Sequence, residues 1–443
     1  MKRTPAEAVV AFLSFAGDRR DSLTALEKFT PRQWEHILQW LNDAGLAFYF
    51  LQRLKDEDAS GIVPPSILSC LERNFACNQL RVEEMGRQFD AINRKFDDAG
   101  VRYTVIKGFS LVPQFCPCAP LRYQADLDYL IDEESLPAAC RVLAGIGYQP
   151  RASHSSKEWI FVSSEQRPSR SEAQYSPNAP HAVELHTDIW DEDMLGIPGI
   201  PKLFSVQQAR TRYWNGLRFP AQVDEDAFLL QVLHACQHIF TQWIRISSLL
   251  EIGYFLHRRA SDLELWSGIE HRAGDSAVLH ELVVIVTEMA ARLFAAPIPK
   301  LVEAWGARIR PGPRIWIDNY ARDWVLCGLP LYEHSLFPRS KLALFLHEQY
   351  RSAWRAQKSQ PHNRSPFWRL RRMALSIRDN PALVWNGDWW RKQHLFRRSV
   401  FYALAELRYV AEIPRWRWLS RTNSQAASSI PWPSQSYGSK KAS

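Results

Sequence analysis

Two aspartates separated by one residue are the feature of this 443-residue sequence that most clearly could perform chemistry. Asp126 and Asp128 flank Leu127 in an apolar stretch that predicts a buried strand ending at Ile131. Side chains alternate along a strand, so both carboxylates project from one face. Two like charges at this spacing repel each other, and burial penalises both. A divalent metal ion, which prefers hard oxygen ligands, is the natural compensating charge.

A lysine and a glycine precede the aspartates at a predicted exit from a strand. Residues 101–106 form an apolar run that predicts this strand, and Lys107-Gly108 follows it directly. Glycine at such an exit lets the backbone approach a ligand closely. Arg122 lies shortly before Asp126, and its guanidinium could bind phosphate or anchor the aspartate strand. The sequence favours neither role.

Histidines stand at two further places where local periodicity groups side chains. In the predicted strand 182–189, alternation brings Glu184 and His186 to one face. A strand histidine beside a charged site lines a pocket or simply hydrogen-bonds a carboxylate. In the predicted helix 224–238, His234 and His238 are four residues apart and share one side. That pair is interpreted first as core or pocket lining, then as a substrate contact and last as a metal site.

The motifs follow one another as a Lys-Gly turn, one arginine and Asp-Leu-Asp on a strand. This order resembles that of the nucleotidyltransferase superfamily with the DNA polymerase β-type core. It is most similar to an uncharacterised bacterial nucleotidyltransferase family with the pattern LKG…R…DIDLLV, over about residues 30 to 263. The superfamily expects a third carboxylate on a later strand, a place that Glu184 fits. Its usual Gly-Ser is replaced by Lys107-Gly108, so the phosphate-holding hydroxyl is missing there, and Ser110 is the candidate substitute.

The resemblance implies transfer of a nucleoside monophosphate from a nucleoside triphosphate to an unidentified hydroxyl acceptor (small molecule, sugar or protein), with release of pyrophosphate. It implies two Mg²⁺ or Mn²⁺ ions, which stabilise the entering and leaving oxygens of such a reaction. The implied metal ligands and catalytic residues are Asp126, Asp128 and Glu184, the last either completing the site of the acceptor-side metal or acting as a general base toward the acceptor hydroxyl. The implied nucleotide-binding residues are Lys107, Gly108, Ser110 and Arg122, and the pocket candidates are His186, His234 and His238.

A second hypothesis is a catalytically inactive nucleotidyltransferase fold that serves as a binding or scaffold protein. Arginines and tryptophans interleave over residues 367–421. This composition is found at nucleic-acid surfaces, at anionic bilayers and on solvated helices whose arginine stems cover tryptophans. The net charge of +8 permits an anionic partner without selecting one. A peripheral contact of this region with a membrane surface or nucleic acid is therefore an open alternative.

The order of the predicted strands and helices indicates an α+β fold. We expect a small mixed-sheet nucleotidyltransferase core with large helical N- and C-terminal regions. We expect helices over 1–100, the core over 101–191 with a polar loop at 163–181, and a helical domain over 192–360. A basic Trp/Arg-rich helical region over 361–421 and a disordered tail over 422–443 complete the chain.

Cysteine usage and the N-terminus bear on the compartment. Seven cysteines without a repeated spacing argue against a disulfide framework and favour a reducing environment. Lys2-Arg3 precede a short apolar run, but Glu7 and the charged residues that follow favour an amphipathic helix over a signal peptide. No run reaches the ~18 apolar residues that a transmembrane helix needs. We therefore expect a cytoplasmic location.

Overall fold

The computed structural model describes residues 4–15, 19–151, 153, 155–163, 175–177, 179, 181–195, 197, 199–241, 245–322, 326, 411, 414 and 418. Chain contacts divide the molecule into two compact units. One comprises Met1–His238, Ile244–Ile309 and Pro431–Ser443, and the other Ile239–Trp243 and Arg310–Ile430. Apart from a few positions, the expected polar loop at 163–181, the Trp/Arg-rich region at 361–421 and the tail at 422–443 lie outside the described residues.

The N-terminal part is helical, as the sequence predicts. Before the first strand the structure has α1 (Pro5–Phe12), α2 (Arg20–Leu26), α3 (Pro31–Ala44), α4 (Ala47–Asp56) and α5 (Pro65–Asp98). α1 and α3 begin in the same way, because Thr4 and Thr30 each accept a hydrogen bond from the third helical amide, with proline at the helix start. The last of these N-terminal helices, α5, is a single helix of 34 residues.

One mixed sheet of seven strands is found in the described chain, in the order β3-β4-β5-β2-β1-β7-β6. Its strands are β1 (Tyr103–Val105), β2 (Asp126–Ile131), β3 (Tyr148–Arg151), β4 (Glu158–Ser163), β5 (Ala182–His186), β6 (Arg210–Trp214) and β7 (Leu217–Ala221). The central strand β2 runs antiparallel to β1 and parallel to β5. Two neighbours of different direction therefore flank the strand that carries the aspartates.

The hairpin β6–β7 lies in a stretch that the sequence interpretation included in a helical domain. β6 has the sequence Arg-Thr-Arg-Tyr-Trp, with three polar residues before its two aromatic ones, so apolar periodicity gives little sign of a strand there. The sequence signal for this hairpin is Asn215-Gly216, a dipeptide typical of a two-residue hairpin turn. Both residues have the positive φ that such a turn requires, 45° and 79°. β3 was also missed, and its exposed residues after Tyr148 explain why.

The packing of α5 decides which face of β2 carries the acids. Leu127, Tyr129 and Ile131 belong to one buried cluster with Phe89 and Phe96 of α5. The Phe89 ring centroid is 6.1 Å from that of Tyr129. Because strand side chains alternate, the even-numbered residues of β2 project to the opposite face. The large aromatic core under α5 therefore holds β2 so that its aspartates point away from the helix.

The remaining helices are α6 (Leu136–Gly145), α7 (Glu192–Leu195), α8 (Asp224–Thr241), α9 (Ile246–Arg259), α10 (Leu263–Ala273), α11 (Ala277–Phe294), α12 (Lys300–Gly306) and α13 (Pro311–Trp316). Of these, α6 and α7 lie between strands of the sheet, and the others follow β7 in the chain. The mixed sheet with helical regions before and after it confirms the expected α+β class. Among the residues that the structure describes, no helix has the length and apolar character needed to cross a bilayer.

Candidate active site

The carboxylates predicted to act together lie on the two adjacent parallel strands β2 and β5. The strand register places Asp128 opposite Glu184 and Asp126 opposite Ala182. His186 Nε2 lies 3.4 Å from Asp128 Oδ1 and 3.7 Å from Glu184 Oε2. Ligand atoms of these three residues all lie within 4.8 Å of one another. The pairing of β2 with β5 thus joins two local alternation patterns into one group.

Lys107 provides the cation closest to this group. Its Nζ lies 2.6 Å from Asp128 Oδ1, and both side chains are buried, with exposed fractions of 7% and 0%. The turn is held against β2 because the Ile106 amide donates to the Asp128 carbonyl at 3.2 Å. Burial works against both charges, but the attraction is stronger: the pKa of Lys107 is raised and the pKa of Asp128 is lowered. The pair is therefore charged at neutral pH.

Asp126 lies in a different electrostatic position. Burial raises its pKa to about 7, and the nearby charges of Asp128 and Glu184 act in the same direction. Lys107 and Arg122 offset these effects only in part. Asp126 is therefore only partly ionised at neutral pH, and a cation bound beside it would favour its charged form.

The available donor atoms fit a divalent cation. Asp128 Oδ2 is buried and has no hydrogen-bond partner, so one carboxylate oxygen is available to a ligand. Asp126 and Glu184 add further carboxylates, the hard oxygen donors that Mg²⁺ and Mn²⁺ take. Burial lowers the pKa of His186, but its hydrogen bonds to Asp128 and Glu184 outweigh this and raise that pKa to about 9.

Gly108 has the conformation and the close packing that only glycine accepts. Its φ is +61°, in the left-handed region. An added Cβ would lie 2.9 Å from the Gln124 side-chain carbon Cδ and nearer still to its amide nitrogen. That amide donates to the Asp126 carbonyl at 2.9 Å, so it links the turn to the start of β2. The Ser110 hydroxyl donates to the Lys107 carbonyl at 3.1 Å, which stabilises the same turn.

Arg122 forms a largely buried ion pair, with side-chain exposed fractions of 16% for the arginine and 4% for its partner. Its Nε lies 3.2 Å and 3.3 Å from the two carboxylate oxygens of Glu251 on α9. Tyr49 on α4 donates its hydroxyl to Glu251 Oε1 at 3.1 Å. Of the two roles that the sequence left open, the geometry supports anchoring, because the pair ties the loop before Asp126 to two helices.

The histidine pair on α8 is half-buried and close to the Lys107 turn. His234 Nε2 and His238 Nε2 are 3.0 Å apart, so one ring donates to the other. Burial lowers the pKa of both, with Lys107 acting in the same direction, and His238 falls to about 4. Both rings are therefore neutral at neutral pH. Within the described part of the chain neither ring joins a group of potential metal ligands.

Two polar residues of α5 support the site without having been singled out from the sequence. Arg81 is 1% exposed. Its Nε donates to the Gln124 carbonyl at 3.2 Å and its Nη1 to the Ala179 carbonyl at 2.7 Å. Asn78 donates to the Pro120 carbonyl at 2.8 Å. Both share the buried stripe of α5 at helical spacing, and a polar residue on such a stripe signals a buried partner.

With this geometry described, comparison with known proteins gives the class. Residues 30–295 match a protein-family model described as "Uncharacterised nucleotidyltransferase". The match spans more than half of the chain, so the protein belongs to this family of uncharacterised nucleotidyltransferases. The family predicted from the motifs is thereby confirmed, while the bacterial origin and the LKG…DIDLLV pattern stay predictions.

One solved structure with detectable similarity is a crystal structure of an antigenic nucleotidyltransferase-like protein from Paracoccidioides brasiliensis. It is 14% identical, and the match covers 49% of this chain and 94% of that one, with a TM-score of 0.28. Similarity at this level carries no argument about the site. No curated protein matches the chain.

Proposed function

We propose that the protein is a metal-dependent nucleotidyltransferase that transfers a nucleoside monophosphate from a nucleoside triphosphate to a hydroxyl acceptor and releases pyrophosphate. The observation that carries this proposal is the alignment of Asp128 with Glu184 across β2 and β5, with Asp126 on the same face. Family membership supports the same chemistry.

The carboxylates would hold the divalent cation. Asp126, Asp128 and Glu184 supply oxygen donors, and the unpartnered Asp128 Oδ2 is free to bind. When bound, Mg²⁺ or Mn²⁺ supplies the positive charge that stabilises the entering and leaving oxygens of phosphoryl transfer. The Glu184 side chain is 18% exposed, more than that of Asp128. It is therefore the carboxylate that we assign to the acceptor hydroxyl, as a general base.

The Lys107 turn would bind the triphosphate. Gly108 lets the backbone come close to a phosphate, and its amide lies in a turn that Ser110 and Gln124 hold in place. Lys107 contributes a buried positive charge next to Asp128. This charge neutralises part of the negative charge of the carboxylates. An ammonium group also attracts phosphate as a point charge, so Lys107 would orient the triphosphate.

The test is binding of ATP, CTP, GTP and UTP to the full chain by calorimetry, with Mg²⁺ or Mn²⁺. Wild type is compared with Asp126→Asn/Asp128→Asn and with a control, Asp132→Asn. Asp132 follows β2 at its other end and pairs with Arg102 at 2.7 Å, so its substitution leaves the carboxylate group intact. Circular dichroism verifies folding.

We expect metal-dependent binding of at least one triphosphate by wild type and by the Asp132 variant, and its loss in the double variant. Label from an α-labelled triphosphate should then appear on acceptors from a cell extract, with release of pyrophosphate. If folded wild type binds none of the four triphosphates with either metal, the proposal is wrong and the inactive binding protein becomes the better hypothesis.

A further inference from the structure

His186 makes this carboxylate site different from one built of oxygen ligands alone. Its Nε2 faces two carboxylates on two strands, 3.4 Å from Asp128 and 3.7 Å from Glu184. Only 9% of the His186 side chain is exposed. Parallel pairing of β2 with β5 and the alternation along β5 produce this convergence, because Glu184 and His186 are two residues apart on one face.

Hydrogen bonding of His186 to the two carboxylates leaves part of this arrangement unexplained. One N–H can donate well to a single acceptor, and both distances exceed those of a strong charge-assisted bond. Asp128 Oδ1 already has a closer cation, since Lys107 Nζ lies 2.6 Å away. A second cation is therefore not needed to neutralise Asp128. Its other oxygen, Oδ2, is buried without any hydrogen-bond partner, and such an oxygen can serve a metal ion.

We propose that His186 is itself a metal ligand, and that the site formed by Asp128, Glu184 and His186 selects a first-row transition-metal ion over Mg²⁺. This inference rests on the divalent-cation site of the proposed function. Imidazole nitrogen suits transition metals, whereas Mg²⁺ prefers oxygen. Affinity of a mixed nitrogen and oxygen site rises from Mn²⁺ to Co²⁺. His186 thus sets which metal the enzyme uses.

The experiment measures metal binding directly and needs no substrate. Mn²⁺, Co²⁺ and Mg²⁺ are titrated into full-length wild type, His186→Gln and a control, His181→Gln. Glutamine keeps a polar atom near the position of the ring Nε2 but offers oxygen or an amide. His181 is a matched control, since it lies just before β5 and is similarly buried. Of the whole residue, 4% is exposed in His181 and 7% in His186. Pulsed electron paramagnetic resonance on bound Mn²⁺ detects nitrogen from coordinated imidazole.

We expect Co²⁺ and Mn²⁺ affinity to fall at least about tenfold in His186→Gln, while Mg²⁺ affinity changes by less than about threefold. The imidazole signal on Mn²⁺ should be present in wild type and His181→Gln and absent in His186→Gln. Folding of each variant is verified by circular dichroism, and the wild-type signal alone tests the claim if His186→Gln does not fold.

Two failures are distinguishable. If Mn²⁺ binds wild type without an imidazole signal, His186 only hydrogen-bonds the carboxylates, and this inference is wrong while the proposed function stands. If no divalent cation binds the folded wild type, the proposed metal-dependent function fails as well.

Discussion

Substitution of Gly108 by alanine tests how the Lys107 turn is built. The residue has φ of +61°, and a Cβ would meet the Gln124 side-chain amide. The left-handed conformation costs an alanine roughly 1–2 kcal/mol. Displacing Gln124 also loses its hydrogen bond to the Asp126 carbonyl, about 1 kcal/mol. We therefore expect Gly108→Ala to lower the free energy of unfolding by about 2–3 kcal/mol.

A second glycine separates the two contributions. Gly100 has a similar φ of +66°, but nothing lies within 4 Å of its added Cβ. Gly100→Ala should therefore cost only the conformational part, roughly 1–2 kcal/mol. Both variants are compared with wild type by urea unfolding, followed by circular dichroism and tryptophan fluorescence. The difference between the two variants isolates the contact with Gln124.

The same reasoning predicts a coupling between the two side chains. In Gly108→Ala/Gln124→Ala the new Cβ meets no amide, so the double variant should be more stable than the sum of the single effects by about 1 kcal/mol. Divalent-cation affinity should fall in Gly108→Ala and stay unchanged in Gly100→Ala. Equal costs for the two glycines, together with additivity in the double variant, would refute the account of this turn.

Three further predictions concern buried charges. Glu251→Ala leaves the buried Arg122 guanidinium unpaired and should cost about 3–5 kcal/mol of unfolding free energy. Lys107→Met removes the ammonium that competes with a cation for Asp128, so Mn²⁺ should bind about tenfold tighter, or 1.4 kcal/mol, by calorimetry. Burial lowers the pKa of His181 to about 4 from its ordinary 6.5. The unfolded state then binds more protons between these values, and stability falls as pH decreases through this window, by up to about 3 kcal/mol relative to His181→Gln.

Each of these has its own control. Asp90→Ala removes the partner of Arg94, whose side chain is 74% exposed, within one helix and should cost much less than Glu251→Ala; equal losses would contradict the burial argument. If Lys107→Met binds Mn²⁺ more weakly than wild type, the lysine supports the metal site instead of competing for it. A pH-independent difference between wild type and His181→Gln would show that this histidine is not held neutral by burial.

Local patterns were sufficient for the parts of the site that lie within one element. The strand that carries Asp126 and Asp128 was predicted, and it ends at Ile131 as expected. The one-face placement of Glu184 and His186 was also correct. The threonine caps, the proline starts and the long α5 follow from near-neighbour chemistry, which is why sequence alone indicates them.

Contacts between distant residues could not be predicted in the same way. Arg122 and Glu251 are 129 residues apart, and nothing local specifies that they meet. Arg81 is an ordinary arginine in the sequence, yet the fold buries it on carbonyls of two loops. The hairpin β6–β7 was missed because its strands show little apolar alternation, although the turn signal at Asn215-Gly216 was present.

The sequence by itself determined the family and which charged residues share one face of β2 and one face of β5. The tertiary structure decided that β2 and β5 pair with Asp128 opposite Glu184, that Lys107 reaches Asp128, and that His186 faces both acids. The physical reason is that alternation acts between neighbours in one strand, whereas register depends on the burial of whole faces against α5 and the strands beside them.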